Sequence, residues 1–290
     1  MRRCRVESLG VSQERPHWGS VRHAVEAGRH CLRASCYHPA DVRVLVNTGV
    51  HRDGHVCEPA VAAYIQRRLG INVEFQGRRT LAFDLSNGGC GMLNAVHVLA
   101  ALMASGEIQV GMVVASEANS DRQPDPAYTY PRSGAAVLLD LSPRSQVGFG
   151  AFAFHTHEEH ADLYTSVVIL DEKHGRLLVR RRAELEDAYL SAVGAVVDEV
   201  LARDGLRRDD VDLVVPAQIS AGFLARLPAA VGFPTDKVLD LSDVLPDTLT
   251  TSVFLALHQA RESGRLKPGA RVVLLACGSG VTVGAATYQV

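Results

Sequence analysis

The chain has 290 residues, of which 47% are hydrophobic, 21% charged and 6% aromatic, and its formal net charge is -2. This globular composition lacks the basic field that a nucleic-acid backbone requires, so nucleic acid is not an expected partner. No apolar run is long enough to span a membrane, and none follows the N-terminal arginines as in a signal peptide. The six cysteines form no Cys-x-x-Cys pair, which favours free thiols in a reducing compartment. We therefore expect a cytoplasmic protein.

The first half of the chain, residues 1–147, alternates predicted helices and strands. In chain order these are a helix over Ser20–Ser35, a strand over Val42–Asn47, a helix over Gly91–Ala104, and strands over Gly111–Ser116 and Gly134–Leu139. The helices have apolar residues at helical spacing, and the strands are short apolar runs. The helix over Gly91–Ala104 is apolar nearly all round, which predicts that it is buried.

The second half, residues 148–290, repeats this order of elements. It has a predicted helix over Glu184–Arg203, a strand over Val211–Val215, a helix over Leu249–Ser263, and strands over Arg271–Cys277 and Gly284–Tyr288. The segment Gly148–Arg182 has no counterpart and is expected to be a crossover with a surface excursion. Such a repeat predicts one domain, residues 1–290, made of two pseudo-duplicated halves.

Strands that alternate with helices indicate an α/β fold whose sheets are covered on both faces. Two αβαβα halves that face each other would bury a helix from each half between their sheets. The sequence therefore predicts two mixed sheets around buried central helices.

Cys90 lies in the loop before the buried helix, within Asn87-Gly88-Gly89-Cys90-Gly91. The glycines on either side allow a tight turn from strand to helix. At a helix N-terminus, the macrodipole and the free N–H groups stabilise a thiolate and lower its pKa, and they can receive the oxyanion formed when a thioester is attacked. Cys90 is therefore a candidate nucleophile for acyl transfer, and the alternative is a structural core thiol.

Several segments, in a fixed order, resemble the β-ketoacyl-acyl-carrier-protein synthase III branch of the thiolase superfamily. The segments that carry the resemblance are Asn47-Thr48, Leu69-Gly70, Asp84 to Gly91, Ser133 to Leu138, Pro216 to Ser220, Leu245 to Ser252, Gly278-Ser279-Gly280 and Gly284-Ala285-Ala286. They extend over most of the chain, from about Ser20 to Val290. The resemblance implies a thiolase-like fold and a dimer, with no metal and no permanently bound cofactor.

The resemblance also implies roles for particular residues. In this family a cysteine takes an acyl group from coenzyme A or a carrier protein, and Cys90 matches that cysteine. Gly278, Ser279 and Gly280 match a glycine-rich loop whose backbone N–H groups, together with that of Cys90, would bind the oxyanion. The implied substrate is acyl-CoA or a phosphopantetheinyl acyl carrier protein.

Two positions depart from the family pattern. Ala217 occupies the place of the catalytic histidine, and Asp247 occupies that of an asparagine. In the family this pair hydrogen-bonds the thioester carbonyl while malonate loses carbon dioxide. Alanine cannot donate a hydrogen bond, and an ionised aspartate would repel the developing enolate. Standard decarboxylative condensation is therefore not expected.

The departures leave open which group takes over the chemistry. Asp247 could act as a general base for an incoming hydroxyl or amine, or it could be an asparagine that has drifted to aspartate. His51 or His55 could replace the missing histidine, although a solvent-exposed loop is the commoner place for such residues.

Two further clusters are candidates for binding. His155, His157 and His160 lie with two glutamates but match no zinc motif, so they are expected on a polar surface rather than at a metal. The run Arg180-Arg181-Arg182 could receive the phosphates of coenzyme A or an acidic carrier protein, or it could be a solvated face.

Together these features favour an enzyme that loads an acyl group onto Cys90 and transfers it to an acceptor, in fatty-acyl or specialised-metabolite biosynthesis. One alternative is a non-catalytic, degenerate subunit that pairs with a complete ketosynthase paralogue. Another is hydrolysis of the acyl-Cys90 intermediate by water. The expected partners are an acyl carrier protein or a CoA thioester, and a second chain in a homodimer or a heterodimer.

Overall fold

The computed structural model of the chain describes residues 2–13, 15, 18–73, 79–144, 146–171 and 174–290. The strands, in chain order, are β1 (Cys4–Gln13), β2 (Val44–Asn47), β3 (Leu81–Asp84), β4 (Val110–Glu117), β5 (Ser133–Leu141), β6 (Gly148–Thr156), β7 (Tyr164–Asp171), β8 (His174–Arg181), β9 (Leu213–Pro216), β10 (Arg271–Gly278) and β11 (Thr282–Gln289). The α-helices are α1 (Ser20–Ala34), α2 (Val61–Leu69), α3 (Gly91–Ala104), α4 (Leu185–Asp204), α5 (Ala221–Val231) and α6 (Ser252–Glu262). Within these residues, no helix combines the length and the apolarity needed to cross a membrane.

The strands form two larger sheets with a shared topology. The first has the order β1-β5-β4-β2-β3, in which β2 is parallel to β3 and β4, and β5 is antiparallel to β4 and β1. The second has the order β6-β11-β10-β9, in which β10 is parallel to β9, and β11 is antiparallel to β10 and β6. A parallel bridge from Val214 to Val238 lies where the first sheet has β3. The repeated order of elements predicted from the sequence is confirmed.

Helices α3 and α6 lie between the two sheets. Helix α3 contacts β4 and β5 of the first sheet and β11 of the second, and α6 contacts β1 and β5 as well as β9 and β10. Met92, Leu93 and Leu99 of α3 are almost fully buried, with exposed fractions of 1%, 1% and 0%. The prediction of buried central helices is therefore confirmed, although α3 leaves His97 and Val98 exposed.

The expectation for Gly148–Arg182 is wrong in its first part. Strand β6 belongs to the second sheet, where it pairs with β11, rather than to a surface excursion. Its sequence alternates glycine and alanine with phenylalanine and has few of the β-branched residues that indicate a strand. The remainder includes the hairpin of β7 and β8, which forms a separate two-stranded sheet.

Candidate active site

Cys90 ends a tight turn between β3 and α3. The turn is a 3-10 segment, Gly88–Cys90, and Gly88 has a φ of 49°, in the left-handed region that favours glycine. A Cβ on Gly89 would lie 2.1 Å from the carbonyl oxygen of Cys277, so glycine at this position lets the turn pack directly against β10. The predicted strand-to-helix turn is confirmed.

The thiol of Cys90 is fully enclosed. Its side chain has an exposed fraction of 0%, and Sγ donates to the carbonyl oxygen of Thr282 at 3.3 Å. Burial raises the pKa of Cys90 to about 12, because the thiolate would lose its hydration. The sequence-based expectation of a lowered pKa is therefore wrong in this conformation, where desolvation outweighs the helix N-terminus.

The glycine-rich loop after β10 lies against the thiol. A Cβ on Gly278 would lie 3.4 Å from Sγ of Cys90 and 3.2 Å from its backbone nitrogen. The loop continues through Ser279 to Gly280, which has a φ of 86°. The N–H of Cys90 donates to the carbonyl oxygen of Asn87 at 3.0 Å, so one of the donors assigned to an oxyanion from the sequence is already engaged in the turn.

A small cavity lies beside the glycine-rich loop. Its volume is about 20 Å³, which is room for about one water molecule. It is lined by Tyr130, Tyr164, Arg181, Leu185, Tyr189, Ala217, Ile219, Asp247, Leu249, Cys277 and Ser279. The fold thus brings Ala217, Asp247 and Ser279 to one cavity, as the resemblance implies. Cys90, Gly278 and Gly280 are absent from this lining, whereas Cys277 contributes a second thiol to it.

Asp247 is the carboxyl group of the cavity. Its Oδ1 accepts a hydrogen bond from the N–H of Leu249 at 2.8 Å. Burial raises the pKa of Asp247 to about 7, and the Leu249 N–H and the Arg181 guanidinium partly oppose this rise. Leu249 itself has a φ of 50°, which is strained for a side chain of this size and is typical of functional sites.

Ala217 follows β9 and forms another part of the cavity wall. Its exposed fraction is 3%, and its N–H donates to the carbonyl oxygen of Leu275 at 2.8 Å, which extends the pairing of β9 with β10. The methyl group supplies no donor where the family has a histidine. The cavity therefore contains a proton acceptor at Asp247 without the imidazole that accompanies the asparagine in the family.

Three of the cavity residues are tyrosines, and sequence reasoning missed all of them. Tyr130, Tyr164 and Tyr189 come from three separate segments, and burial raises the pKa of the Tyr164 phenol to about 12. The chain has 7 tyrosines, so their concentration here is a signal, but it becomes visible only after folding.

An open cleft lies on the outer side of Tyr130. Its volume is about 550 Å³. It is lined by Gln13, Arg15, Tyr130, Pro131, Arg132, Val244, Pro246 and Thr248. Tyr130 is shared with the inner cavity, and Pro246 and Thr248 flank Asp247 in the chain. The cleft thus brings two arginines to the outer side of the same wall.

The histidine cluster and most of the arginine run singled out from the sequence lie outside this cavity. His155 contacts Glu199 at 2.6 Å and His157 contacts Glu159 at 3.6 Å, and no cluster of three or more metal-ligating side chains occurs in the described part of the chain. Arg180, Arg181 and Arg182 are all exposed, and Arg181 also lines the cavity and donates to Glu186 at 3.1 Å.

The two loop histidines are both partly or fully enclosed rather than solvent-exposed. His51 has an exposed fraction of 5% and contacts Glu117 at 2.6 Å, and His55 contacts Asp121 at 2.6 Å. Neither histidine lines the cavity that contains Asp247.

Comparison with known proteins identifies the family. Residues 201–290 match the family described as 3-oxoacyl-[acyl-carrier-protein (ACP)] synthase III C terminal. The chain is 30% identical over 279 residues to β-ketoacyl-[acyl-carrier-protein] synthase III of Sphingopyxis alaskensis, covering 91% of this chain and 82% of that protein.

Solved structures agree on the fold. The 3-oxoacyl-[acyl-carrier-protein] synthase III of Aquifex aeolicus superposes with a TM-score of 0.84 at 19% identity, covering 99% of this chain and 100% of that one. OleA of Xanthomonas campestris, in a structure with bound lauric acid and lauroyl-CoA, has a TM-score of 0.84 at 18% identity, covering 100% and 99%. The fold is thiolase-like, and the chain belongs to the β-ketoacyl-acyl-carrier-protein synthase III family.

Proposed function

We propose that the chain is an acyltransferase that loads an acyl group from an acyl-CoA or acyl carrier protein thioester onto Cys90 and passes it to an acceptor. The observation that carries the proposal is Asp247, a carboxyl group with a pKa raised to about 7, which shares a cavity with Ala217 at the place of the family histidine. Relatives named as synthases, and a structural neighbour with bound lauroyl-CoA, support thioester chemistry.

The loading step exchanges one thioester for another. Sγ of Cys90 attacks the carbonyl carbon, the bond from that carbon to the sulfur of coenzyme A breaks, and the departing thiolate takes up the proton that Cys90 loses. Backbone N–H groups of the loop at Gly278 and Ser279 are the proposed donors to the oxyanion, since Gly278 lies against Cys90. The step needs no imidazole, because the leaving thiolate is itself the proton acceptor.

The transfer step differs from condensation. Loss of one donor to the oxyanion typically costs roughly 3–4 kcal/mol of transition-state stabilisation, and Ala217 supplies none. Ionised Asp247 would add repulsion to an enolate. The same carboxylate suits a hydroxyl or amine acceptor: it takes the acceptor's proton as the acceptor attacks the acyl-Cys90 carbonyl, and the Cys90 thiolate leaves and is reprotonated.

The outer cleft supports a substrate with phosphate groups. At about 550 Å³ it is large enough for a cofactor-sized ligand, and it has cationic side chains at Arg15 and Arg132. The inner cavity, at about 20 Å³, is far smaller than an acyl chain. Loading therefore requires side chains of the cavity wall to move, and Tyr130 lies at the boundary between the two spaces.

Intact-protein mass spectrometry after incubation with a panel of acyl-CoA thioesters and acyl carrier proteins tests the proposal. We expect one acyl mass on the wild-type chain, its absence in Cys90→Ala, and its retention in Cys57→Ala, which removes an exposed thiol. Peptide mapping must place the acyl group on Cys90 rather than on Cys277. A chain that remains unmodified by the whole panel would overturn the proposal.

A second candidate function is a non-catalytic subunit of a heteromeric ketosynthase complex. The enclosed Cys90 thiol and a cavity that holds about one water favour it. It predicts stable co-purification with a complete paralogue, and full activity of that complex when Cys90→Ala replaces the wild-type chain. A large loss of activity in the substituted complex would contradict it.

A further inference from the structure

Three side chains outside the cavity form a continuous hydrogen-bonded chain. Nε2 of His51, in the loop after β2, lies 3.0 Å from Oγ of Ser166 on β7. Nδ1 of the same ring lies 2.6 Å from Oε2 of Glu117 at the end of β4. A hydroxyl, an imidazole and a carboxylate in this order have the geometry in which a serine is activated as a nucleophile.

The hydrogen-bond partners of Glu117 determine which ring nitrogen of His51 is the donor and which is the acceptor. Glu117 has an exposed fraction of 0%, and its Oε1 accepts hydrogen bonds from Oγ1 of Thr250 at 2.6 Å and from the N–H of Val50 at 3.3 Å. A carboxylate with these donors acts as an acceptor toward His51 as well, which places a proton on Nδ1. When the imidazole is neutral, Nε2 is then the acceptor for the hydroxyl proton of Ser166, as a general base requires.

Aromatic rings fix the orientation of the imidazole. The ring of Tyr130 is stacked near His51 with a centroid distance of 6.0 Å, and that of Tyr128 meets it edge-on at 4.9 Å. The hydroxyl of Tyr128 is buried and has no hydrogen-bond partner among the described residues. The tyrosine that packs edge-on against the histidine therefore retains an unpartnered hydroxyl donor.

The strand that carries Ser166 presents apolar side chains beside it. Ser166 is half-buried, and on the same face of β7 Val168 and Leu170 have exposed fractions of 53% and 83%. Tyr164, on the other side of Ser166, lines the cavity that contains Asp247. An apolar chain lying along this face of the hairpin would bring a carbonyl carbon at its end to Oγ of Ser166.

We propose that Ser166, His51 and Glu117 form a second catalytic centre, which hydrolyses carboxylic esters with an apolar acyl chain. Oγ of Ser166 attacks the ester carbonyl while His51 accepts its proton, and the ester C–O bond breaks as the alcohol leaves with that proton. Water then attacks the acyl-Ser166, again losing its proton to His51, and the acid departs as the proton returns to Oγ. This activity is independent of Cys90 and goes beyond the acyl transfer proposed above.

A fluorophosphonate probe, which phosphonylates activated serines, tests the proposal in the full chain. Peptide mass spectrometry should locate the label on Ser166, and labelling should be lost in Ser166→Ala and at least about 100-fold slower in His51→Gln. Thr165→Ala, a change on the opposite face of the same strand, is the matched control and should label as the wild type does.

Hydrolysis of p-nitrophenyl esters of increasing chain length is the second measurement. The rate should fall in proportion to the fraction of Ser166 labelled, and it should be higher for octanoate than for acetate. Absence of label on Ser166 in the folded wild-type chain would overturn the proposal, as would ester hydrolysis that persists after complete labelling. Both measurements are also made on Cys90→Ala, because an acyl-Cys90 intermediate could itself be hydrolysed by water. Only hydrolysis that persists in this variant after complete labelling counts against Ser166.

Discussion

Asp247 determines the pH dependence of the proposed acyl transfer, because burial raises its pKa to about 7. A general base acts only when ionised, so the transfer rate should rise about tenfold per pH unit below 7 and level off above it. Asp247→Asn should remove this rise and slow transfer by at least about 100-fold at alkaline pH. Loss of the acyl mass from preloaded Cys90, followed over time at each pH, measures both effects. A flat wild-type profile would contradict the base role.

The raised pKa of Asp247 has a separate consequence for folding stability. The unfolded chain ionises this carboxyl at its ordinary value of 3.8 and the folded chain at about 7, so the folded state binds more protons between these values. The contribution of Asp247 to the free energy of unfolding should therefore be fully present below pH 3.8 and be lost as the pH rises through 7. Asp247→Asn should melt above the wild type at pH 8 but not at acid pH. Asp243→Asn, at an exposed neighbouring position, should show no such difference.

Restoring the family histidine should not be tolerated in the present cavity. The free volume is about 20 Å³, and the Ala217 side chain has an exposed fraction of 3%, so an imidazole would have to displace its neighbours. Ala217→His should lower the free energy of unfolding by about 1–3 kcal/mol, the usual cost of overpacking. Ala217→Ser, which adds one oxygen atom, is the control. Urea denaturation measures the free energy of unfolding of both variants. Equal stability would contradict the overpacking argument, because it would mean that the cavity wall accommodates an imidazole.

At the scale of elements, the turn that holds Cys90 has a counterpart in the second half. Gly88–Cys90 precedes α3 and Leu249–Thr251 precedes α6, both are 3-10 segments, and their first residues have φ values of 49° and 50°. The two halves therefore enter a central helix through the same left-handed backbone conformation. The first has glycine there and the second has leucine, which places an apolar side chain in the cavity wall.

The turn before α3 should tolerate no side chain at its centre. A Cβ on Gly89 would lie 2.1 Å from the Cys277 carbonyl oxygen, so Gly89→Ala must separate the turn from β10 and should destabilise the chain by about 3 kcal/mol or more. Gly106→Ala, at the other end of α3, meets nothing within 4 Å and adds only the cost of a φ of 82°, about 1 kcal/mol. Denaturant unfolding of both variants measures the difference, and equal losses would contradict the packing argument.

Prediction from sequence was successful for the long elements and failed for the irregular ones. A long run that is apolar nearly all round located α3, and apolar residues at helical spacing located α4, because each helix has more than three turns. Helix α5 was not predicted as an element, because it contains Pro228 and does not stand out without its tertiary packing. Of α2, which has nine residues, only the C-terminal end at Leu69-Gly70 was anticipated, through the family resemblance. Strand β6 was missed because its glycines and alanines become a strand only by pairing with β11.

At the scale of the whole molecule, the candidate site exists only where the two halves meet. The local sequence context singled out Cys90 as a candidate, and the family resemblance singled out Ala217 and Asp247, but neither gave the environment of the thiol. Cys90 is enclosed by Thr282, 192 residues further along the chain. Desolvation depends on such distant contacts, and therefore the pKa of Cys90 was predicted in the wrong direction from its local helix position.

The open edge of the first sheet is the place where a second chain would pair. The edges of the two larger sheets are β1 and β3 in the first and β6 and β9 in the second. Strands β1 and β6 lie against each other, and β9 is covered by the bridge from Val214 to Val238. The outer side of β3 pairs with no strand in the part of the chain that the structure describes, and Leu81 on it has an exposed fraction of 60%. An unpaired apolar edge is a template for strand pairing, which two-fold symmetry closes into a dimer.

Ala82→Pro tests this edge without disturbing the pairing of β3 with β2. The N–H groups of Leu81 and Leu85 donate inward, to the carbonyl oxygens of Arg43 and Asn47 at 3.0 and 2.9 Å, so the intervening N–H of Ala82 points outward. Proline there removes an outward donor, and we expect it to convert a homodimer into a monomer in sedimentation velocity experiments.

The control is Ala82→Val, which retains the N–H and should remain dimeric. A wild-type chain that sediments as a monomer at micromolar concentration would contradict the homodimer, and the same proline should then block pairing with a ketosynthase paralogue.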